Sequence, residues 1–177
     1  MIVAGDPERV MEPVLLMFFP ALMAFAAASD LLTMTIPNRV SLLLIAGFLG
    51  MAILTGMPLE TLALHVAAGA AVLVVAFAMF AFGWIGGGDA KLAAATALWC
   101  GFGVLLEYLV FASLFGGVLT LLILSWRRYL MPAALMRIDW IARLHHHKTG
   151  IPYGIALAAA GLAIYPYTDV WKAVAGA

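Results

Sequence analysis

Residues 61–100 read TLALHVAAGAAVLVVAFAMFAFGWIGGGDAKLAAATALWC, and this stretch decides the fold class. From Leu62 to Phe82 only His65 can carry a charge. A helix crosses the hydrocarbon core of a bilayer with about 20 consecutive, mostly apolar residues, so the first half of the stretch reads as one membrane span. Gly83 and then Gly86 to Gly88 break it, glycine being a poor helix former. Asp89 follows, and a second apolar run, interrupted only by Lys91, starts at once.

Working outward, the same texture covers the whole chain. Of its 177 residues, 66% are hydrophobic and only 10% are charged, with nine Lys and Arg against nine Asp and Glu. An ordinary soluble domain is roughly 45–50% apolar and about 25% charged. A mean hydropathy of +1.11 therefore excludes a soluble globular domain, a disordered chain and a nucleic-acid binder. Apolar stretches fall at roughly 13–32, 40–57, 61–83, 91–106, 108–125 and 151–168. The predicted fold is all-α: a polytopic membrane protein of about six transmembrane helices, with residues 1–177 forming a single membrane-embedded domain. Pro20 predicts a kink, Gly56-Met57-Pro58 a tight hairpin turn, and either Gly101-Phe102-Gly103 or Glu107 the turn between the fourth and fifth stretches. One long tilted helix over 92–125 is the competing reading. Asp6, Glu8 and Glu12 outnumber Arg9, so the first stretch reads as a retained span rather than a cleaved signal peptide.

Alternation of six spans places Arg39, Lys91, Arg127, Arg128, Arg137, Arg143 and Lys148 on one side and only Arg9 and Lys172 on the other. Positive charge favours the cytoplasmic side, so both termini are expected outside. The basic connection from Trp126 to Gly150 is cytoplasmic by the same rule. Its Trp140 and Ile141 suggest an interfacial amphipathic segment. Asp6, Glu8, Glu12, Glu60, Glu107 and Asp169 gather on the outer side, and Asp139 lies in the polar loop.

Two acids do not fit a solvated role. Asp30 sits about one turn inside the cytoplasmic end of the first span, where an ionisable group is costly and normally finds a partner. Asp89 ends a run of three glycines, and irregular backbone at membrane depth is tolerated only when buried in protein or lining a cavity. Plainer readings stand beside these: Asp30 snorkelling or capping at its helix end, Asp89 as a helix N-cap. One hairpin separates the two acids, so both reach the same face. Such a pair cannot both ionise easily and shares a proton, which is the chemistry of aspartic proteolysis. Lys91 pairs with Asp89 or meets lipid headgroups. Gly86 and Gly88 let a substrate backbone approach Asp89, or form a loose turn. Tyr153 lines the cleft or anchors at the interface. His145-His146-His147 reads as a pH-sensitive surface cluster rather than a metal site, and Cys100 as a small apolar helix residue; no metal or other cofactor is implied. Intramembrane carboxylates beside a glycine break also mark ion pathways, so an ion- or proton-coupled transporter subunit is the alternative.

Gly86-Gly87-Gly88-Asp89 fits the G-x-G-D signature of intramembrane aspartic proteases. Gly88-Asp89-Ala90-Lys91-Leu92, Leu98-Trp99-Cys100-Gly101, and Asp30 followed by Ile36-Pro37-Asn38-Arg39 resemble the prepilin peptidases. So does Ile151-Pro152-Tyr153-Gly154-Ile155-Ala156, which resembles the start of that family's final helix. The resemblance runs over roughly residues 20–165. It implies that Asp30 and Asp89 are the catalytic pair. It also implies that the substrate is a prepilin or pseudopilin precursor, cut at the cytoplasmic face of the bacterial inner membrane between a positive leader and a hydrophobic helix. Large bifunctional members carry an added cytoplasmic domain with paired cysteines. Here the first loop is short and Cys100 is the single cysteine, so methyl transfer and a zinc site are not carried over. The short form resembles the peptidases of Flp-type, tight-adherence pilus systems.

Overall fold

The computed structural model describes residues 7–176; Asp6, read above as an outward carboxylate, lies outside the described residues. Regular structure among them is entirely helical: α1 (Pro7–Thr33), α2 (Asn38–Leu54), α3 (Leu59–Ala81), α4 (Gly87–Trp126), α5 (Asp139–His145), α6 (Gly154–Ile164) and α7 (Asp169–Ala175), with two short 3-10 turns. Three segments are long and apolar enough to cross a membrane, Glu12–Thr33, Leu59–Ala81 and Gly87–Trp126, whereas Asn38–Leu54 and Gly154–Tyr167 are shorter apolar helices. Pro13 and Pro20 are accommodated inside α1.

The fourth and fifth apolar stretches are one helical run folded on itself. Gly101 interrupts α4 with φ 58° and ψ −179°. Asp89 and Ala93 of the first arm share a cavity with Leu109 and Ala112 of the second, although Asp89 and Ala112 would stand about 35 Å apart in a straight helix. The break falls at Gly101 for two reasons. L-residues avoid positive φ, and a Cβ there would lie 2.7 Å from the His65 ring. Of the two expected turn sites Gly101 is used, and Glu107 stays exposed within the second arm. The single straight helix is thereby ruled out, and the arms run over 87–100 and 102–126 rather than 91–106 and 108–125.

The first arm is the core of the bundle. Every residue from Leu92 to Gly101 is buried, and the segment is apolar all round but for Thr96, whose hydroxyl donates to the Leu92 carbonyl at 2.9 Å. Its alanines let neighbours approach closely, as small residues do between membrane helices: a Cβ on Gly69 of α3 would lie 3.2 Å from the Ala94 carbonyl oxygen, and one on Gly161 of α6 3.2 Å from Thr96 Cγ2. Trp99, fully buried, donates from Nε1 to the Leu44 carbonyl at 2.9 Å and packs against Phe19 at 5.0 Å between centroids. α2 thus packs mainly on α4 and α1 and meets α3, its hairpin partner, through the stacked rings of Phe48 and His65. At the end remote from Asp30, His65 donates from Nδ1 to the Leu98 carbonyl at 2.8 Å and meets Asp169 at 3.4 Å. Thr168 caps α7 by accepting from Trp171 N at 3.2 Å.

The connection between α4 and α6 is tied down by Arg127, which donates from Nε to the Leu144 carbonyl at 2.8 Å and from Nη2 to that of Gly150 at 3.0 Å. Trp140 and Ile141 are half-buried. The exposed apolar side chains of the segment are instead Leu130, Leu135, Met136 and Ile138, so its amphipathic face lies before α5 rather than on it. His145 packs edge-on to Trp126, and His146 stacks on His147.

Candidate active site

Asp30 lies in the last turn of α1 and is only 5% exposed, so it does not snorkel to water. Nor does its side chain cap its own helix end: the Gly154 amide, 124 residues further along, donates to its Oδ2 at 2.7 Å. This amide opens α6, whose N-terminal dipole favours a negative group. The contact requires glycine, because a Cβ on Gly154 would lie 2.8 Å from Asp30 Oδ2 and 2.7 Å from Ile36 Cδ1.

Asp89 is half-buried in the first turn of α4, with Gly86 at the N-cap position. Its carboxylate turns back over the glycine break, so that a Cβ on Gly86 would lie 2.9 Å from Oδ2. The plainer N-cap reading is therefore displaced by one turn: Asp89 is the third helical residue, not the cap. A Cβ on Gly88 would lie 3.2 Å from Ile36 Cβ. Ile36 thus wedges between Gly88 and Gly154, and the three motifs quoted above meet at one end of the bundle. Asp30, held by Gly154, and Asp89, which follows Gly88, are thereby linked through Ile36.

Asp89 also opens onto a cavity of about 370 Å³, between α3 and the second arm of α4. Its walls are apolar, with Val75, Met79, Leu105 and Leu109 among them, and Tyr153 lines it together with Asp89. Tyr153 donates from its hydroxyl to the Ala112 carbonyl at 3.1 Å, its ring seated directly against Gly116.

Lys91 stands apart. Residues two apart on a helix do not face each other, and Lys91 points away from Asp89 to donate from Nζ to Asn38 Oδ1 at 2.9 Å. It lines a second cavity of about 660 Å³, between α2 and α3. Pro37 holds the N-cap position of α2 with no side-chain capping hydrogen bond, and the Asn38 side chain serves Lys91. Of the expected site residues the fold therefore gathers Asp30, Asp89, Gly86, Gly88 and Tyr153, and not Lys91. Gly154 and Ile36 hold the acids in register but had no role assigned from sequence. The signal was present in the quoted motifs, in the invariant need of a buried carboxylate for a donor.

These features define a polytopic helical membrane protein in which the two least exposed acids among the described side chains converge beside a glycine-broken helix start. The chain belongs to the type IV leader peptidase family, which it matches over residues 17–121, and it is accordingly a protease of the leader-peptidase kind. That match takes in Asp30, Gly86 to Asp89 and Gly101, and ends before Tyr153 and Gly154. No curated protein and no solved structure matches the chain.

Proposed function

We propose that the protein is an aspartic endopeptidase that removes the leader from prepilin or pseudopilin precursors at the cytoplasmic face of the bacterial inner membrane, with Asp30 and Asp89 as its catalytic pair. The observation that carries this reading is that Ile36 links Gly88, next to Asp89, with Gly154, whose amide holds Asp30, so that acids from two different helices reach one end of the bundle, where Asp89 opens onto an apolar cavity. The pair shares one proton. The ionised carboxylate takes a proton from a water molecule, whose oxygen attacks the scissile carbonyl carbon. The protonated carboxylate gives its proton to the carbonyl oxygen, forming a tetrahedral diol. Collapse returns that proton to the second acid, breaks the C–N bond and passes the first acid's proton to the leaving amine. Neither step needs a metal or another cofactor.

The cavity supports the substrate assignment. A pilin-type precursor presents a hydrophobic helix directly after its cut site, and an apolar channel ending at Asp89 would take that helix laterally from the bilayer. Gly86, exposed beside Asp89, leaves the backbone there open to an extended peptide, whereas Gly88 gives its space to Ile36. Tyr153, anchored on Ala112, would close the floor and set where the peptide stops. In this arrangement Lys91 makes no contact with the substrate. The seven basic residues on this side argue for a cytoplasmic site by the charge rule, which leaves both termini outside.

The test is cleavage of a precursor with a basic leader and a hydrophobic helix, by protein reconstituted in liposomes. Asp30→Asn and Asp89→Asn preserve shape but cannot cycle a proton. Each should lower the rate by roughly 100- to 10,000-fold while leaving helicity and gel-filtration behaviour unchanged. Cleavage at the parent rate by either variant would remove the two-aspartate mechanism.

A further inference from the structure

The larger cavity has no part in the proteolytic reading: neither Asp30 nor Asp89 lines it. It lies between α2 and α3, which pack mainly on α4 and meet each other through the stacked Phe48 and His65 rings, and its floor is the buried first arm. Its two ends differ. At one, Lys91, Asn38 and the buried Ser41 form a polar mouth; beyond them the walls are apolar, from Leu42 and Leu73 to Leu49 and Val66, over a floor of Ala94 and Ala95. Lys91 is exposed and makes its one side-chain hydrogen bond to an amide oxygen. Among the described residues the only ion pair joins His65 to Asp169, so the Lys91 charge is uncompensated. Arg39, next to Asn38 and also exposed, adds a second positive charge to this end.

We propose that this trough binds one anionic phospholipid, its phosphate on Lys91 and one acyl chain laid along the alanine floor. Charge decides the headgroup: a cation whose only protein partner is neutral is complemented by phosphate, and a zwitterionic headgroup complements it less well. Length decides the tail. From Asn38 to Leu49 α2 climbs about 16 Å at 1.5 Å per residue, close to the ~15 Å that one leaflet contributes to a hydrocarbon core of about 30 Å. A groove with a cation at the headgroup level and apolar walls one leaflet deep has the dimensions of a lipid, not of a spanning helix. Small floor residues leave the room, and the long side chain of Lys91 can rise along the wall to the interface. The positive leader of the substrate would be repelled from this mouth, so the two cavities sort their occupants by sign.

Native mass spectrometry of the purified full chain, titrated with dioleoyl phosphatidylglycerol or dioleoyl phosphatidylcholine, tests the site. One phosphatidylglycerol should be retained with about fivefold preference over phosphatidylcholine, the discrimination expected from one lysine at the surface. Lys91→Gln should erase that preference and Lys91→Arg should keep it; Arg also covers the case in which the neutral variant does not fold. Ala70→Phe, which fills the trough without changing charge, should weaken retention of both lipids. Two further arms separate the sources of binding: glycerol phosphate, which has the anion without chains, and dioleoylglycerol, which has the chains without the anion, should each bind more weakly than phosphatidylglycerol. Equal retention of the two phospholipids by the parent, or an unaltered preference in Lys91→Gln, would mean unselective annular lipid and overturn the proposal. So would glycerol phosphate binding as tightly as the intact lipid, or undiminished retention by Ala70→Phe.

Discussion

The first arm of α4 separates two cavities that differ in almost every respect except that both are apolar. On one side Asp89 and Tyr153 stand at the mouth of a 370 Å³ channel between α3 and the second arm. On the other Lys91 and Asn38 stand at the mouth of a 660 Å³ trough between α2 and α3. The acid and the cation are two residues apart, and two residues turn an α-helix through about 200°. A single helix start thus presents opposite charges to opposite faces, at the same depth, without letting them neutralise each other. What differs behind them is rigidity. The acidic side is fixed by the Gly154 amide, by Ile36 between two glycines, and by the Tyr153 hydroxyl on Ala112. The basic side rests on one hydrogen bond between exposed side chains. The tightly held side suits bond-breaking, which needs groups placed within fractions of an ångström; the loosely held side suits an adaptable lipid.

The comparison can be broken at its strongest point first. Beyond the catalytic substitutions described above, Gly154→Ala should have the largest effect, because its methyl group would press on both Asp30 and Ile36. Forcing a methyl into so tight a site costs about 1–3 kcal/mol, and moving Asp30 should lower cleavage by roughly tenfold or more. Parent-level activity in this variant would show that Asp30 need not be held by α6. Next, bulk placed in each cavity should act asymmetrically. Ala112→Trp should reduce cleavage about tenfold by narrowing the channel, whereas Ala70→Phe in the trough should leave single-turnover cleavage of bound precursor within about twofold. The reverse pattern, read from the same assay, would exchange the roles of the two cavities.

Two further effects test the frame that carries both cavities and the tyrosine on the acidic side. Gly101→Ala forces an L-residue to positive φ beside the His65 ring, and should destabilise the fold by about 1–3 kcal/mol; thermal unfolding in detergent measures it. Tyr153→Phe removes one donated hydrogen bond while keeping the ring on Gly116, and should cost about 1 kcal/mol in the same measurement. If Tyr153 sets the peptide's stopping point, the cut should also become less uniform in position, which mass spectrometry of the released leader would read.

Much of this was legible beforehand. The class followed from apolar stretches too long and too numerous for a soluble core. The convergence of Asp30 and Asp89 followed from counting membrane crossings, because an even number of spans between two residues returns the chain to the same side. Either Gly101-Phe102-Gly103 or Glu107 suits the turn by sequence, and the positive φ at Gly101 together with the His65 ring in the space where its Cβ would lie explains the choice. The pairing of Lys91 was not legible: sequence proximity to Asp89 suggested a partner, and the helical turn between them carried the side chain to Asn38 instead. Nor was the role of Gly154, because the distance that matters runs across 124 residues of chain to Asp30.

By itself, then, the sequence determined which segments seek lipid, where the backbone breaks, and that two acids share one end. These properties depend on local composition and on counting, which tertiary contacts cannot change. Only the tertiary structure decided which side of the first arm each charged residue faces, which amide holds Asp30, and that a second cavity opens between α2 and α3. Those outcomes depend on how small residues from distant segments let helices approach, and packing between surfaces is a property of pairs that no single stretch of chain contains.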